Sequence, residues 1–276
     1  MPVREGLKIV QGLMKGKRGL IMGVANDHSV AWGIAEVLAK QGAELIFTCQ
    51  NEAFSKRVKR LAASVGSEIV LHCDVEDKRS LDLVFDRVRE EWGSLDFLVH
   101  AIAFSSREEL KGRYADTSRE NFVRTMLVSC FSFTEAARRA VDLMPDGGSM
   151  VTMTYGGSTR VMPNYNVMGL AKAALESSVR YLAVDFGSVR VRINAISAGP
   201  MRTLAGAGIA DARMMFNYQK RNSPLRRSVS LEEVGNTALY LLSDLSTAVT
   251  GEIVFVDSGY SVLSMPSLEE MKLYET

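Results

Sequence analysis

Residues 154–172 read T-Y-G-G-S-T-R-V-M-P-N-Y-N-V-M-G-L-A-K and place two tyrosines, Tyr155 and Tyr165, ahead of one lysine, Lys172. Upstream, Ser149–Thr154 is a short apolar run of strand character. Downstream, the pattern from Tyr165 to about Phe186 is helical, and Arg190–Ile196 is another apolar run of strand length. Pro163 suits a helix's first turn, because its fixed φ fits and its missing N–H has no partner to lose. Strand, helix and strand in succession predict parallel strands joined by a crossover helix. At about 100° per residue, the step from Tyr165 to Lys172 comes to about 700°, so both project from nearly one face, about 10 Å apart along the axis. A phenol and an ammonium on one face offer hydrogen-bond donation to a developing oxyanion and a positive field that favours it. The plain structural alternative is a tyrosine at the helix's buried edge and a solvated lysine.

The same alternation extends in both directions. Strands are expected at Arg18–Val24, Glu44–Thr48, Glu68–Leu71, Asp96–His100 and Glu252–Val256. Helices are expected at Ser29–Gln41, in the amphipathic segment ending at Ala63, and at Asp77–Trp92, Ser118–Leu143 and Leu231–Leu242. Short apolar runs separated by helical periods predict the α/β class: one doubly wound, Rossmann-like parallel sheet with helices on both faces. No repeat, linker or low-complexity segment interrupts residues 1–276, which therefore read as a single domain. Residues 1–16 form an arm before the first strand.

Bulk properties narrow the function. The net charge is +1 with both signs dispersed, which argues against a nucleic-acid surface. Apolar content is 47%, yet no run approaches the roughly 20 residues that span a bilayer. Arg4, Lys8 and Lys15 interrupt the start of the chain, which lacks the apolar core of a secretory signal. Cys49, Cys73 and Cys130 are scattered and odd in number, and His28, His72 and His100 are isolated, so no metal site is expected. A reducing cytoplasm is the compartment that fits.

Ligands of open α/β sheets sit beyond the carboxyl ends of the strands. The first strand runs into G-V-A-N-D-H-S-V-A-W-G-I-A, residues 23–35. This is not the full G-x-G-x-x-G pattern. Gly23 permits the tight turn, Ser29 is a good N-cap, Gly33 permits close helix packing, and the helix N-terminus presents N–H groups suited to a pyrophosphate. Taken alone, it fits an ordinary β–α turn equally well. The same rule selects Gln50 after the second strand, Asp74 and Val75 after the third, and Ile102 after the fourth. The alternatives are that Asp74 caps the next helix and Ile102 is core.

The Tyr-x9-Tyr-x6-Lys spacing, with P-N-Y-N-V-M-G-L-A-K (163–172) and N-A-I-S-A-G-P-M-R-T-L-A (194–205), closely resembles the bacterial enoyl-acyl carrier protein reductases, from about Gly16 to about Val262. These belong to the short-chain dehydrogenase/reductase superfamily, where Tyr-x3-Lys is the commoner spacing. The resemblance implies NADH-dependent reduction of the trans-2 double bond of an enoyl thioester on acyl carrier protein, in fatty acid biosynthesis, by a homotetramer. Hydride would reach C3 while Tyr165 donates to the thioester oxygen as it becomes an enolate. Lys172 would hold the nicotinamide-ribose hydroxyls. Tyr155 would line the acyl channel, assist proton delivery, or simply pack.

By the same resemblance, Gly23, Ser29, Val30 and Gln50 are cofactor-binding. Asp74 and Val75 hold the adenine, and Ile102 lies beside the nicotinamide-side ribose. Met201, Arg202, Thr203, Leu204 and Ala205 approach the carboxamide and phosphates. Ser105 stands near the substrate where relatives often have Ala, and Ala103 where some have Gly. Residues 199–222, rich in Gly and Met, read from their residue types as a lid over the acyl chain, with a mobile surface helix as the alternative. Gln50, Asn51 and Glu52 offer no countercharge to a 2′-phosphate, which favours NADH over NADPH, although Lys56 and Arg57 follow closely. The competing functions are a carbonyl-acting short-chain dehydrogenase and a non-catalytic cofactor-binding regulator.

Overall fold

A computed structural model describes residues 12–201 and 212–272. Its strands are β1 (Arg18–Met22), β2 (Glu44–Cys49), β3 (Val70–His72), β4 (Phe97–His100), β5 (Gly148–Thr154), β6 (Val191–Ala198) and β7 (Ile253–Val256). They form one seven-stranded sheet of order β3-β2-β1-β4-β5-β6-β7, parallel throughout. The order reverses between β1 and β4, which opens a crevice at their carboxyl ends.

Alternation along each strand divides the core between the two faces. Leu20 and Met22 point to one side with Leu98 and Met150, under α3 (Lys78–Trp92), α5 (Ser132–Val141) and α6 (Asn166–Gly187). Ile21, Phe47, Val99 and Val151 point to the other, under α1 (Val30–Lys40), α2 (Glu52–Ser64) and α8 (Leu231–Leu242). Glycine sets the closest crossing, α1 on α8. A Cβ at Gly235 would lie 2.6 Å from Val37 Cγ2 and 2.7 Å from the Gly33 carbonyl oxygen, and one at Gly33 would lie 2.6 Å from Leu231 Cβ. Both helices therefore approach nearly backbone to backbone.

Three features depart from the sequence expectation. The helix expected over 118–143 is α4 (Arg119–Met126), a π-helical turn (Leu127–Phe131) and then α5. Ser132 Oγ donates to the Val128 carbonyl at 2.7 Å, the back-bond that loosens an α-helical ladder. Second, α6 begins at Asn166, one residue after Tyr165, and Pro163 lies ahead of it, separated by Asn164 in left-handed backbone (φ 55°). Third, α9 (Leu268–Lys272) follows the last expected strand, and α7 (Ala212–Asn222) gives part of the 199–222 stretch the helix that was its alternative reading.

Candidate active site

The β1 turn is built around Gly23. Its φ is 109°, and a Cβ there would stand 2.2 Å from the Ala101 carbonyl oxygen at the end of β4. Only glycine lets the two strand ends meet in this way. Ser29 occupies the N-cap position of α1, as its residue type predicts, but makes no side-chain cap hydrogen bond. Its Oγ instead accepts from the Ala25 and Asn26 N–H groups, each at 3.0 Å. The hydroxyl shapes the turn, and the opening N–H groups of α1, that of Val30 among them, are left uncapped by it. This is chemistry suited to an anion.

Along the same edge, Gln50 is exposed immediately after β2. Asp74 N donates to Ser80 Oγ at 2.9 Å, and Asp74 Oδ1 accepts from Glu76 N at 3.0 Å. The cap of α3 is Asp77, which accepts from Arg79 N, so the capping alternative for Asp74 does not hold. Val75 is buried in the core, and Ile102 is half-buried against it. Ser105 is buried with its hydroxyl turned toward α4, 3.0 Å from Thr125 Oγ1 and 3.3 Å from Asn121 Oδ1. Its hydrogen bonds thus serve the loop's own architecture. Met201 packs against the core face that carries α1, while Arg202, Thr203, Leu204 and Ala205 lie outside the described residues.

The two tyrosines meet just past β5, and the lysine is buried against the end of the same strand. Tyr155 follows β5 directly, and its ring meets that of Tyr165 edge to face, with centroids 5.1 Å apart. Tyr165 is the N-cap residue of α6 and is buried. Both rings belong to a small apolar cluster with Leu110, Met126, Met162 and Met168. A Cβ at Gly157 would lie 2.5 Å from the Tyr165 ring, and one at Gly169 would lie 2.8 Å from the Gly157 carbonyl oxygen. These glycines make the slot in which Tyr165 sits, and the G-G of the quoted stretch was the signal for it. Lys172 is buried, and its Nζ donates to the Met153 carbonyl at 2.9 Å. The solvated-lysine alternative is therefore excluded.

Burial governs the ionisation here. It pushes the Tyr155 phenol up to about 12, with Tyr260 and Asp257 adding to the effect. It raises Tyr165 further, with smaller contributions from Tyr155 and Glu176. Both phenols therefore stay protonated and available as donors at neutral pH. Lys172 is lowered by burial to about 8, against upward pulls from Cys130 and Glu176.

Tyr155 also lines a cavity of about 280 Å³ with Met162, Gly199, Phe255, Asp257 and Tyr260, beyond the ends of β5, β6 and β7. Sequence reasoning missed this wall. It also missed Arg124, which forks Glu76 with two hydrogen bonds of 2.8 Å and stacks 4.2 Å from the Phe104 ring centroid. That side chain ties the loop after Asp74–Val75 to the segment after β4.

A doubly wound parallel sheet with an uncapped helix start at its switch point and a buried Tyr–Lys pair beside it defines a dinucleotide-dependent reductase of the short-chain type. A family model, Enoyl-(Acyl carrier protein) reductase, matches residues 23–261. An "Enoyl-[acyl-carrier-protein] reductase [NADH] 2" of Rhizobium meliloti is 68% identical over 96% of this chain and 98% of its own. The crystal structure of FabI from Candidatus Liberibacter asiaticus has a TM-score of 0.92 at 61% identity and covers 94% of this chain and 100% of its own. That of the Anaplasma phagocytophilum reductase, in complex with NAD, has a TM-score of 0.91 at 55% identity, covering 94% and 99%. The chain belongs to the enoyl-acyl carrier protein reductase family.

Proposed function

We propose that the protein reduces the trans-2 double bond of enoyl thioesters carried on acyl carrier protein, with NADH as the hydride donor, as a cytoplasmic homotetramer of fatty acid biosynthesis. The observation that carries this reading is the contact of Tyr155 with Tyr165 just past β5, together with Lys172 buried against the end of the same strand. Bound NADH supplies the hydride that adds to C3 of the substrate. The residues present fit such a cofactor: the Gly23 backbone lies flush against β4, and the α1 N-terminus is free of a side-chain cap. Gln50 suits a ribose hydroxyl and offers a phosphate no countercharge.

Tyr165 donates its phenolic hydrogen bond to the thioester oxygen as negative charge gathers there, so stabilisation grows toward the transition state. Lys172 grips the ribose hydroxyls and adds positive potential. The apolar cluster of Leu110, Met126 and Met162 keeps water from the phenols, which strengthens both effects. Tyr155 packs against Tyr165 and walls the cavity that would take the acyl chain. Residues 199–222, of which α7 belongs to the described part, act as the lid.

Support for the oligomer is the exposure of large apolar side chains on α4, the π-helical turn and α6, among them Phe122, Val123, Phe131, Tyr181 and Val184. Among the described residues no helix is long and apolar enough to cross a membrane. The deciding assay is NADH oxidation with crotonyl thioester. Turnover of a ketone with none of the enoyl thioester would replace this reading with a carbonyl-acting dehydrogenase.

A further inference from the structure

Lys172 is an ammonium buried to 6% exposure. One turn along α6 lies Glu176, buried to 7%, whose Oε1 accepts from Thr154 Oγ1 at 2.6 Å. Lys172 itself donates to the carbonyl of Met153, the residue before Thr154. The last two residues of β5 therefore pin both side chains of one helical turn. A buried carboxylate is costly unless it compensates an opposite charge, and the mechanism above makes no direct use of Glu176.

We propose that Glu176 is a positioning residue that acts through Lys172: its carboxyl group, fixed by Thr154 one helical turn away, is the countercharge that the buried ammonium works against. The inference rests on the reading of Lys172 as the grip on the cofactor ribose. Other titratable groups face Lys172 from each neighbouring element. From β4 comes His100, fully buried, hydrogen-bonded to Ser132 and Thr152 and held neutral by burial, with Lys172 adding to that effect. From the π-helical turn comes Cys130, whose pull on Lys172 requires a thiolate, whereas burial raises the thiol and keeps it protonated. Tyr165, at the start of α6, and Tyr155, after β5, are protonated phenols. Glu176 is the carboxyl side chain of this set, one helical turn from Lys172 on α6. Burial lowers Lys172, so a neighbouring charge bears directly on whether the ammonium keeps its proton.

The test is the pH profile of kcat/KM for crotonyl thioester with NADH, in wild type and Glu176→Gln. Glutamine retains an acceptor for Thr154 and deletes the charge. The alkaline limb of the variant should move to lower pH by about one unit, with rates converging on the wild type at the acid end. A limb at the wild-type position, or an equal loss at every pH, overturns the proposal. If the glutamine variant does not fold, Glu176→Asp serves instead. It retains the charge and should leave the limb in place, and a displaced limb overturns the idea. Lys172→Ala is measured alongside by NADH titration. Unchanged affinity there refutes the ribose-grip reading itself. Weakened affinity with an unmoved Glu176→Gln limb refutes only this proposal.

Discussion

In the proposed reaction Tyr165 and Lys172 divide the chemistry between a neutral donor and a buried cation, and each makes its own prediction. Tyr165→Phe keeps the ring in the slot made by Gly157 and Gly169 and removes the hydroxyl. One oxyanion donor is typically worth about 10²–10³ in turnover. The variant should therefore lose kcat by that factor while NADH titrates normally. A parent-like rate would move the role to Tyr155. Lys172→Ala removes a charged hydrogen-bonding group and should weaken NADH binding by about 1.5–3 kcal/mol, read by fluorescence titration. The wild type should show the same trend with pH. Lys172 is charged below about 8, so affinity for NADH should hold at neutral pH and fall as pH rises through that value.

At the scale of elements, the site depends on how closely helices are allowed to approach. The α1–α8 crossing leaves no room for a methyl group at Gly235, where one neighbour is backbone, the Gly33 carbonyl. Gly235→Ala should therefore force the helices apart and cost about 1–3 kcal/mol in urea unfolding. Because α1 carries the cofactor-facing turn, the KM for NADH should rise more than the KM for the enoyl thioester. Gly187 offers the contrast. It ends α6 with nothing within 4 Å of its would-be Cβ, so Gly187→Ala should be neutral or stabilise by up to about 1 kcal/mol. The Arg124–Glu76 fork is half-exposed, so its contribution to stability is at most about 1 kcal/mol and falls with salt.

At the scale of the whole molecule, acid stability should turn on His100. Its ring is fully buried, 2.9 Å from Ser132 Oγ and 3.3 Å from Thr152 Oγ1, and burial lowers it to about 3. The unfolded chain binds that proton near pH 6.5. The stabilising contribution is therefore complete above about 6.5 and is lost as pH falls toward about 3. Urea midpoints should drop across this window in wild type and much less in His100→Asn, whatever that variant's absolute stability. Assembly has a separate signature. If the proposed tetramer assembles through the exposed apolar side chains of α6, the carboxylate of Val184→Glu should split it in sedimentation while leaving the monomer fold intact. An unchanged mass would show that a different face assembles.

Seven strands and the large helices between them were legible in the sequence because apolar period is a local property, and parallel pairing follows from the crossovers. Tyr155, Tyr165 and Lys172 were legible from their spacing, although the angular argument assumed a helix through Tyr165 and the helix begins one residue later. Two left-handed asparagines set that boundary, and φ is not written in residue type. The break at 127–131 likewise arises from a serine back-bond that period does not predict. Tertiary structure alone decided the rest. It turned the Ser29 hydroxyl into its own loop and the Ser105 hydroxyl toward α4. It also tied Glu176 to Thr154 and Lys172 to Met153, at the end of β5. Period assigns a residue to a face, but which groups meet there, and how deeply water is excluded, depends on chain segments distant in sequence. Ionisation depends on that exclusion, so the chemistry of Lys172 follows from packing that no local pattern records.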